Sequence, residues 1–261
     1  MPELPDVETF RRYLETHALG EHIAAVRVSA PRILAGVTAP QLDRRLKGKA
    51  IEGARRHGKI LFARADGAWI VFRFGMTGFL RYYRDAADAA AHERAIFDFR
   101  SGAHLALDCQ RMFGRVGLAR DPDAFVREHD LGPDARAIDA AEFGDRVGRH
   151  RGAIKGALMD QSTLAGIGNV YADEVLFQAR LHPRAPVASI DERALASLHR
   201  VMARVLERAI EAEADPARMP RGWLIPARAR GGRCPRCGTA LETLTAGGRT
   251  TYVCPRCQAP P

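Results

Sequence analysis

The chain has 261 residues, 46% of them hydrophobic and 27% charged, which fits one large or two modest globular domains. No apolar run approaches the roughly 18 residues of a membrane helix, and no basic segment followed by an apolar one opens the sequence. No membrane or secretory destination is therefore expected, and a cytoplasmic protein is. The formal net charge of +9 points to a polyanionic partner, nucleic acid first.

From Pro5 to about Leu19, Val7, Phe10 and Leu14 recur at helical spacing, with Asp6 and Glu8 in the first turn. Alternating runs at 24–29, 59–64, 68–74, 95–100 and 103–108 predict an antiparallel β unit. The texture changes across DPDAFVREHDLGPD (121–134), and helices are predicted over 139–150, 152–165, 169–179 and 191–213. The last places Leu195, Leu198, Val201, Val205 and Ile210 on one face. Within this region MDQSTLAGIGNVYADEVLF (159–177) reads as helix, Gly-Ile-Gly-Asn, helix. Two glycines beside a helix N-terminus can cradle a phosphate, and Asn169 is placed to cap the helix or touch that phosphate. A plain tight connection explains the glycines equally well.

Of the forty basic residues only four are lysine: Lys47, Lys49, Lys59 and Lys155. From Pro216 to the C-terminus eight arginines face a single acid, Glu242. A one-signed tail of this kind suits phosphate contact. The same tail carries Cys234, Cys237, Cys254 and Cys257 in a C-x2-C-x16-C-x2-C pattern. Two such turns complete a closed tetrahedral site for one structural zinc ion. TLTA and TTYV between them predict a hairpin turning at Ala246-Gly247-Gly248, with Arg249 just past the turn. The fifth cysteine, Cys109, reads as a buried strand thiol.

MPELPDVETF, the His-Gly-Lys of 57–59, FGMTG (74–78), DQSTLAGIGNVYADE (160–174) and the Arg249-bearing cysteine module occur in order along nearly the whole chain. Together they resemble the formamidopyrimidine-DNA glycosylase / endonuclease VIII family. The resemblance implies an α+β, multidomain fold. A helix and an antiparallel β-sandwich would occupy 1–120, a helical domain with a helix–two-turn–helix element 135–215, and a β-hairpin zinc finger 230–261. It implies a bifunctional DNA-repair enzyme, a monomer, that excises oxidised bases from duplex DNA and cuts the strand at the abasic site. By the same matching Pro2 is the nucleophile, Glu3 the proton donor, Lys59 an elimination and phosphate-binding lysine, and Arg249 the zinc-finger arginine. Arg73, His92, Arg111, Lys155 and Asn169 would contact DNA, and Met76, Arg111 and Phe113 would fill the gap left by the flipped nucleotide.

Elementary chemistry is consistent with these roles. With Met1 removed, Pro2 is a secondary amine titrating near pH ~8, against about 10.4 for lysine, so a useful fraction is neutral at pH ~7. An imine at the sugar C1′ acidifies C2′ for elimination. Chemistry on a base in a duplex requires extrusion, which an apolar wedge assists. Two departures bear on substrate. LDCQRMFGRV places Met112 where the formamidopyrimidine branch has a second arginine, with one residue added before Arg111. Asp215–Arg233 is short and lacks the longer segment that closes over an oxidised purine. FGMTG nonetheless favours the formamidopyrimidine branch, with a weak preference for 8-oxoguanine, and Arg73 stands where a histidine is common. The alternative is a non-catalytic protein on the same scaffold that binds damaged or abasic DNA.

Overall fold

A computed structural model describes residues 1–260. The chain forms two compact units, the first comprising Met1–Pro2 and Asp6–His129, the second Glu3–Pro5 and the residues from Asp130 onward. No helix among the described residues is long and apolar enough to cross a membrane.

In the first unit, α1 (Leu4–Ala18) has Pro5 in its first turn and buries Val7, Leu14 and Ala18 in the core. Two sheets complete this core. One orders β1 (Ile23–Val28), β7 (Glu93–Phe99), β8 (His104–Asp108) and β6 (Phe79–Tyr83), all antiparallel. The other orders β2 (Leu34–Ala35), β9 (Arg115–Ala119), β5 (Ala68–Arg73), β4 (Ile60–Ala65) and β3 (Ile51–His57), with only the short β2–β9 pair parallel. Alternate residues of β5, Ile70 and Phe72, enter the core, which sends Val71 and Arg73 to the opposite face. That face is met by α3 (Pro122–Glu128), whose Phe125 sits edge-on to Phe62.

Several elements escaped the sequence reading. α2 (Ala39–Leu46) starts at Thr38, whose hydroxyl and Gln41 form a reciprocal capping box. α3 arises inside the 121–134 segment, where no helix was expected, capped by Asp121 with Pro122 in its first turn. β3 carries a glycine and charged residues, so its pattern does not alternate, and it forms because β4 pairs with it along its length.

In the second unit, α4 (Ala140–Gly148), α5 (Ile154–Met159), α6 (Asn169–Ala179) and α7 (Glu192–Glu211) surround one apolar core that also takes Leu4. The helix expected over 152–165 stops at Met159. Asp160 ends it: its carboxylate accepts from the Ser162 N–H and hydroxyl and from the Thr163 hydroxyl, a turn that competes with helix. The chain closes with a hairpin, β10 (Glu242–Ala246) and β11 (Arg249–Val253), in which Gly247 and Gly248 both take positive φ, 57° and 68°, as a two-residue turn requires.

Candidate active site and DNA-contact surfaces

In the first unit, the chain end is accessible, with Met1 54% exposed and Pro2 half-buried. Lys59 stands on the two-residue turn between β3 and β4, where Gly58 takes φ 53°. That turn is tied to α1. Arg56 donates through Nε to Glu8 at 3.1 Å and through Nη1 to the Gly58 carbonyl at 3.1 Å. Arg11 also donates to Glu8. Burial alone would raise the Glu8 carboxyl, but Arg11 and Arg56 hold it below the usual carboxylate range.

The expected wedge is assembled in the same unit. Met76 and Phe113 are exposed large apolar side chains, 41% and 56%, and Arg111 lies against Met76, Nη1 to Sδ 3.6 Å. The Arg111 N–H donates to the Thr77 hydroxyl, joining the two loops that carry the wedge. Gly75 has φ 61°, and a Cβ there would fall 2.5 Å from the Phe113 carbonyl carbon, so only glycine lets the loops approach. Met112 turns inward onto the core with φ 51°. This loop is held by Arg115 and Arg94, which the sequence reading did not assign, and by Cys109. Arg115 Nη1 donates to the carbonyls of Met112 and Gly114, Arg94 donates to the Cys109 carbonyl, and the buried Cys109 thiol accepts from the Gly114 N–H. Cys109 lies one residue beyond β8 rather than within it. His92 is half-buried, its N–H donating to Asp108 at 2.6 Å. Arg73 lies over the Phe125 ring at 5.2 Å; burial, then the neighbouring Arg115, lower its pKa from the ordinary arginine value.

In the second unit, Glu3 is fixed. Its carboxylate accepts from the N–H groups of Gly168, Val170 and Tyr171 at 2.7, 2.8 and 3.2 Å, the unsatisfied donors at the start of α6. The Gly-Ile-Gly-Asn backbone thus cradles a carboxylate of this chain where a phosphate was conceivable. Gly168, not Asn169, is the cap residue. Gly166 is required because a Cβ there would meet Leu4 Cδ1 at 2.6 Å. Gln161 clamps the same turn, donating to the Met159 and Ile167 carbonyls and accepting from the Gly166 N–H.

Lys155 is fully buried, and its ammonium donates to Asn169 Oδ1 (2.7 Å), Asp173 Oδ1 (2.5 Å) and Thr251 Oγ1 (2.6 Å). Burial lowers its pKa against the pull of Asp173. Asn169 in turn donates to the Thr250 carbonyl, and Arg228 donates to Asp173 at 2.8 Å. These contacts join α5, α6, the 215–233 connector and β11. Glu174, also buried, accepts from the Ile225 N–H and the Gln178 amide, and burial pushes its carboxyl up to about 7. Arg249 is exposed at the hairpin corner.

The Sγ atoms of Cys234, Cys237, Cys254 and Cys257 lie within 4.8 Å of one another, with pairs at 3.5, 3.6 and 3.8 Å. A tetrahedron with Zn–S bonds of about 2.3 Å has edges of roughly 3.8 Å, so the donors fit one closed zinc site. Phe177, Leu224 and Leu241 pack around it.

The chain thus joins a unit built on two β-sheets, with Met76 and Phe113 exposed, to a helical unit ending in a four-cysteine finger. The sequence models for the formamidopyrimidine-DNA glycosylase N-terminal domain, its H2TH domain and the zinc finger found in FPG and IleRS match residues 1–116, 131–220 and 231–260. The formamidopyrimidine-DNA glycosylases of Exiguobacterium sibiricum and Moorella thermoacetica are 35% and 37% identical to the chain, covering 99% and 100% of it and 99% and 93% of themselves. Among solved structures, Lactococcus lactis Fpg in complex with DNA containing N7-benzyl-Fapy-dG superposes with TM-score 0.88 at 29% identity, over 99% of this chain and all of that one. A complex of the same enzyme with abasic-site DNA gives 0.88 at 28% identity, over the same shares of the two chains. The chain belongs to the formamidopyrimidine-DNA glycosylase family.

Proposed function

We propose that this protein is a bifunctional DNA glycosylase and abasic-site lyase of base excision repair, acting in the cytoplasm on the nucleoid's duplex DNA. The observation that carries the reading is the seat of Glu3: three backbone donors lock the carboxylate that follows Pro2 in the chain. A proton-transfer group held this rigidly beside an N-terminal secondary amine suits acid–base work at one sugar.

Once Met1 is removed, the Pro2 nitrogen attacks C1′ of the damaged nucleotide and the N-glycosidic bond breaks, the base leaving with a proton. Glu3, in its carboxylic acid form, delivers a proton to the sugar ring oxygen, opening the ring to an iminium ion, while the proton lost by the Pro2 amine leaves with the base. Loss of a C2′ proton then expels the 3′ phosphate, a second elimination expels the 5′ phosphate, and water releases Pro2. Lys59 serves the elimination and binds phosphate, and Arg249 holds the phosphates flanking the extruded nucleotide. Met76, Arg111 and Phe113 occupy the vacated stack, with Arg73 and His92 on the backbone. Lys155 positions Asn169 and β11 rather than touching phosphate, because its three donors are already engaged. Zinc, when bound, shapes the hairpin that presents Arg249 and takes no part in the chemistry. Segments 1–120, 135–215 and 230–261 divide these tasks into catalysis, backbone binding and phosphate capture.

The departure at Met112 and the short 215–233 connector favour formamidopyrimidine lesions over 8-oxoguanine. Borohydride trapping on abasic duplex tests the enzyme reading. A covalent adduct carried by the N-terminal peptide of protein lacking Met1 supports it, and no adduct from that protein leaves a non-catalytic damage binder. Strong, cytosine-selective excision of 8-oxoguanine would overturn the lesion preference.

A further inference from the structure

Several exposed arginines of the first unit are paired with acids. Arg27 pairs with Asp98, Arg55 with Asp123, Arg64 with Glu52 and Arg81 with Asp88. One groove gathers cations that are not. About 670 Å3 in volume, it is lined by Arg44, Arg45, Lys49 and Arg120, with Gly67 and Leu118 among its other walls and no acidic residue. None of the three arginines forms an ion pair among the described residues, and each is exposed. Lys49 donates only to the backbone carbonyl of Asp66. Of the acids nearest in sequence, Asp43 accepts from the Val26 N–H, Asp121 caps α3 and Glu52 pairs with Arg64, while Asp66, beside Gly67, meets Lys49 through its backbone carbonyl.

The C-terminus of α2 accounts for two of the four cations, since Arg44 and Arg45 in its last turn meet the negative end of the helix dipole. It does not account for Arg120 or Lys49, which come from the end of β9 and from the loop before β3. Four cations converging from three elements without a counterion repel one another, and an external polyanion relieves that repulsion. β9 runs from Arg115, which braces the wedge loop, to the edge of this groove. At about 3.3 Å per residue that is roughly 16 Å, the rise of about five base pairs along a duplex.

We propose that this groove is a second DNA-contact surface, taking the phosphate backbone of duplex DNA without regard to lesion or sequence. The proposal rests on the reading of the chain as a DNA enzyme. A duplex backbone suits the groove better than an acidic peptide, because duplex DNA is the substrate of the proposed activity and presents an unbroken run of negative charge.

The test compares wild type with Arg44→Gln/Arg45→Gln/Arg120→Gln on an undamaged 40-base-pair duplex across a salt series. Expected is at least tenfold weaker binding at low salt, with the slope of log affinity against log salt shallower by about 2 to 3. Single-turnover excision from a short lesion duplex should be unchanged. Equal affinity and slope would overturn the proposal, as would loss of binding to poly-glutamate alone, which would mark an acidic-protein site. If the triple variant does not fold, Arg44→Gln/Arg45→Gln decides, with a slope change of about 2 expected and no change fatal. Wild type that binds DNA through the groove yet excises nothing would refute the enzyme reading and leave this surface standing.

Discussion

The ammonium of Lys155 lies 2.5 Å from the Asp173 carboxylate with both side chains fully buried. Arg228 reaches the other Asp173 oxygen, and Thr251 and Asn169 complete the ammonium's partners. A buried charge left alone is far more costly than the pair is favourable. Lys155→Ala should therefore destabilise the second unit by about 3 to 5 kcal/mol, measured as a fall in the urea midpoint. A loss below about 1 kcal/mol, the range of surface pairs, would show that water reaches Asp173.

Arg115 braces the carbonyls on both sides of Phe113. Hydrogen bonds from a charged donor contribute about 1.5 to 3 kcal/mol. Arg115→Ala should slow excision from a duplex roughly tenfold or more, while cleavage of an abasic site in single-stranded DNA, which needs no wedge, stays unchanged. Equal losses on both substrates would place Arg115 in folding instead of extrusion.

Glu174 makes stability depend on pH. Its folded pKa, about 7, lies above the ordinary 4.5 because burial penalises the charged form. Its contribution is thus fully present below about pH 4.5 and lost as pH rises through 7, by about 3 kcal/mol in all. Glu174→Gln should remove that slope: the melting-temperature difference between variant and wild type should move in favour of the variant from pH 5 to pH 8. A difference that stays flat would mean that the Ile225 N–H and Gln178 keep the carboxylate ionised.

One zinc per chain is expected by metal analysis. Cys257→Ser, or chelation, should release it, unfold the hairpin and withdraw Thr251 from Lys155, since structural zinc binding is coupled to folding. DNA affinity should fall with the metal. A folded, DNA-binding protein without zinc would refute the structural role of the cysteines.

Much of this molecule is legible locally. The Pro-Glu terminus, the paired C-x2-C turns, the 3.6-residue period of α7 and the alternating strands depend on neighbours a few positions apart. The reading failed where local signals conflicted with context. The helix expected to 165 stopped because Asp160 had a competing turn to offer, and β3 formed against its own pattern because β4 supplied the hydrogen bonds.

Sequence alone singled out the residues proposed to do the chemistry: the amine at position 2, the carboxylate after it, four thiolates and an excess of arginine. Only tertiary structure decided what each of them faces. Glu3 meets donors 165 residues away in the chain and Lys155 meets Thr251 across 96. The Gly-Ile-Gly-Asn turn that could have cradled a phosphate holds that carboxylate instead. Spacing of this length leaves no trace in local periodicity, because burial and hydrogen bonding are settled by which surfaces the packed core brings together.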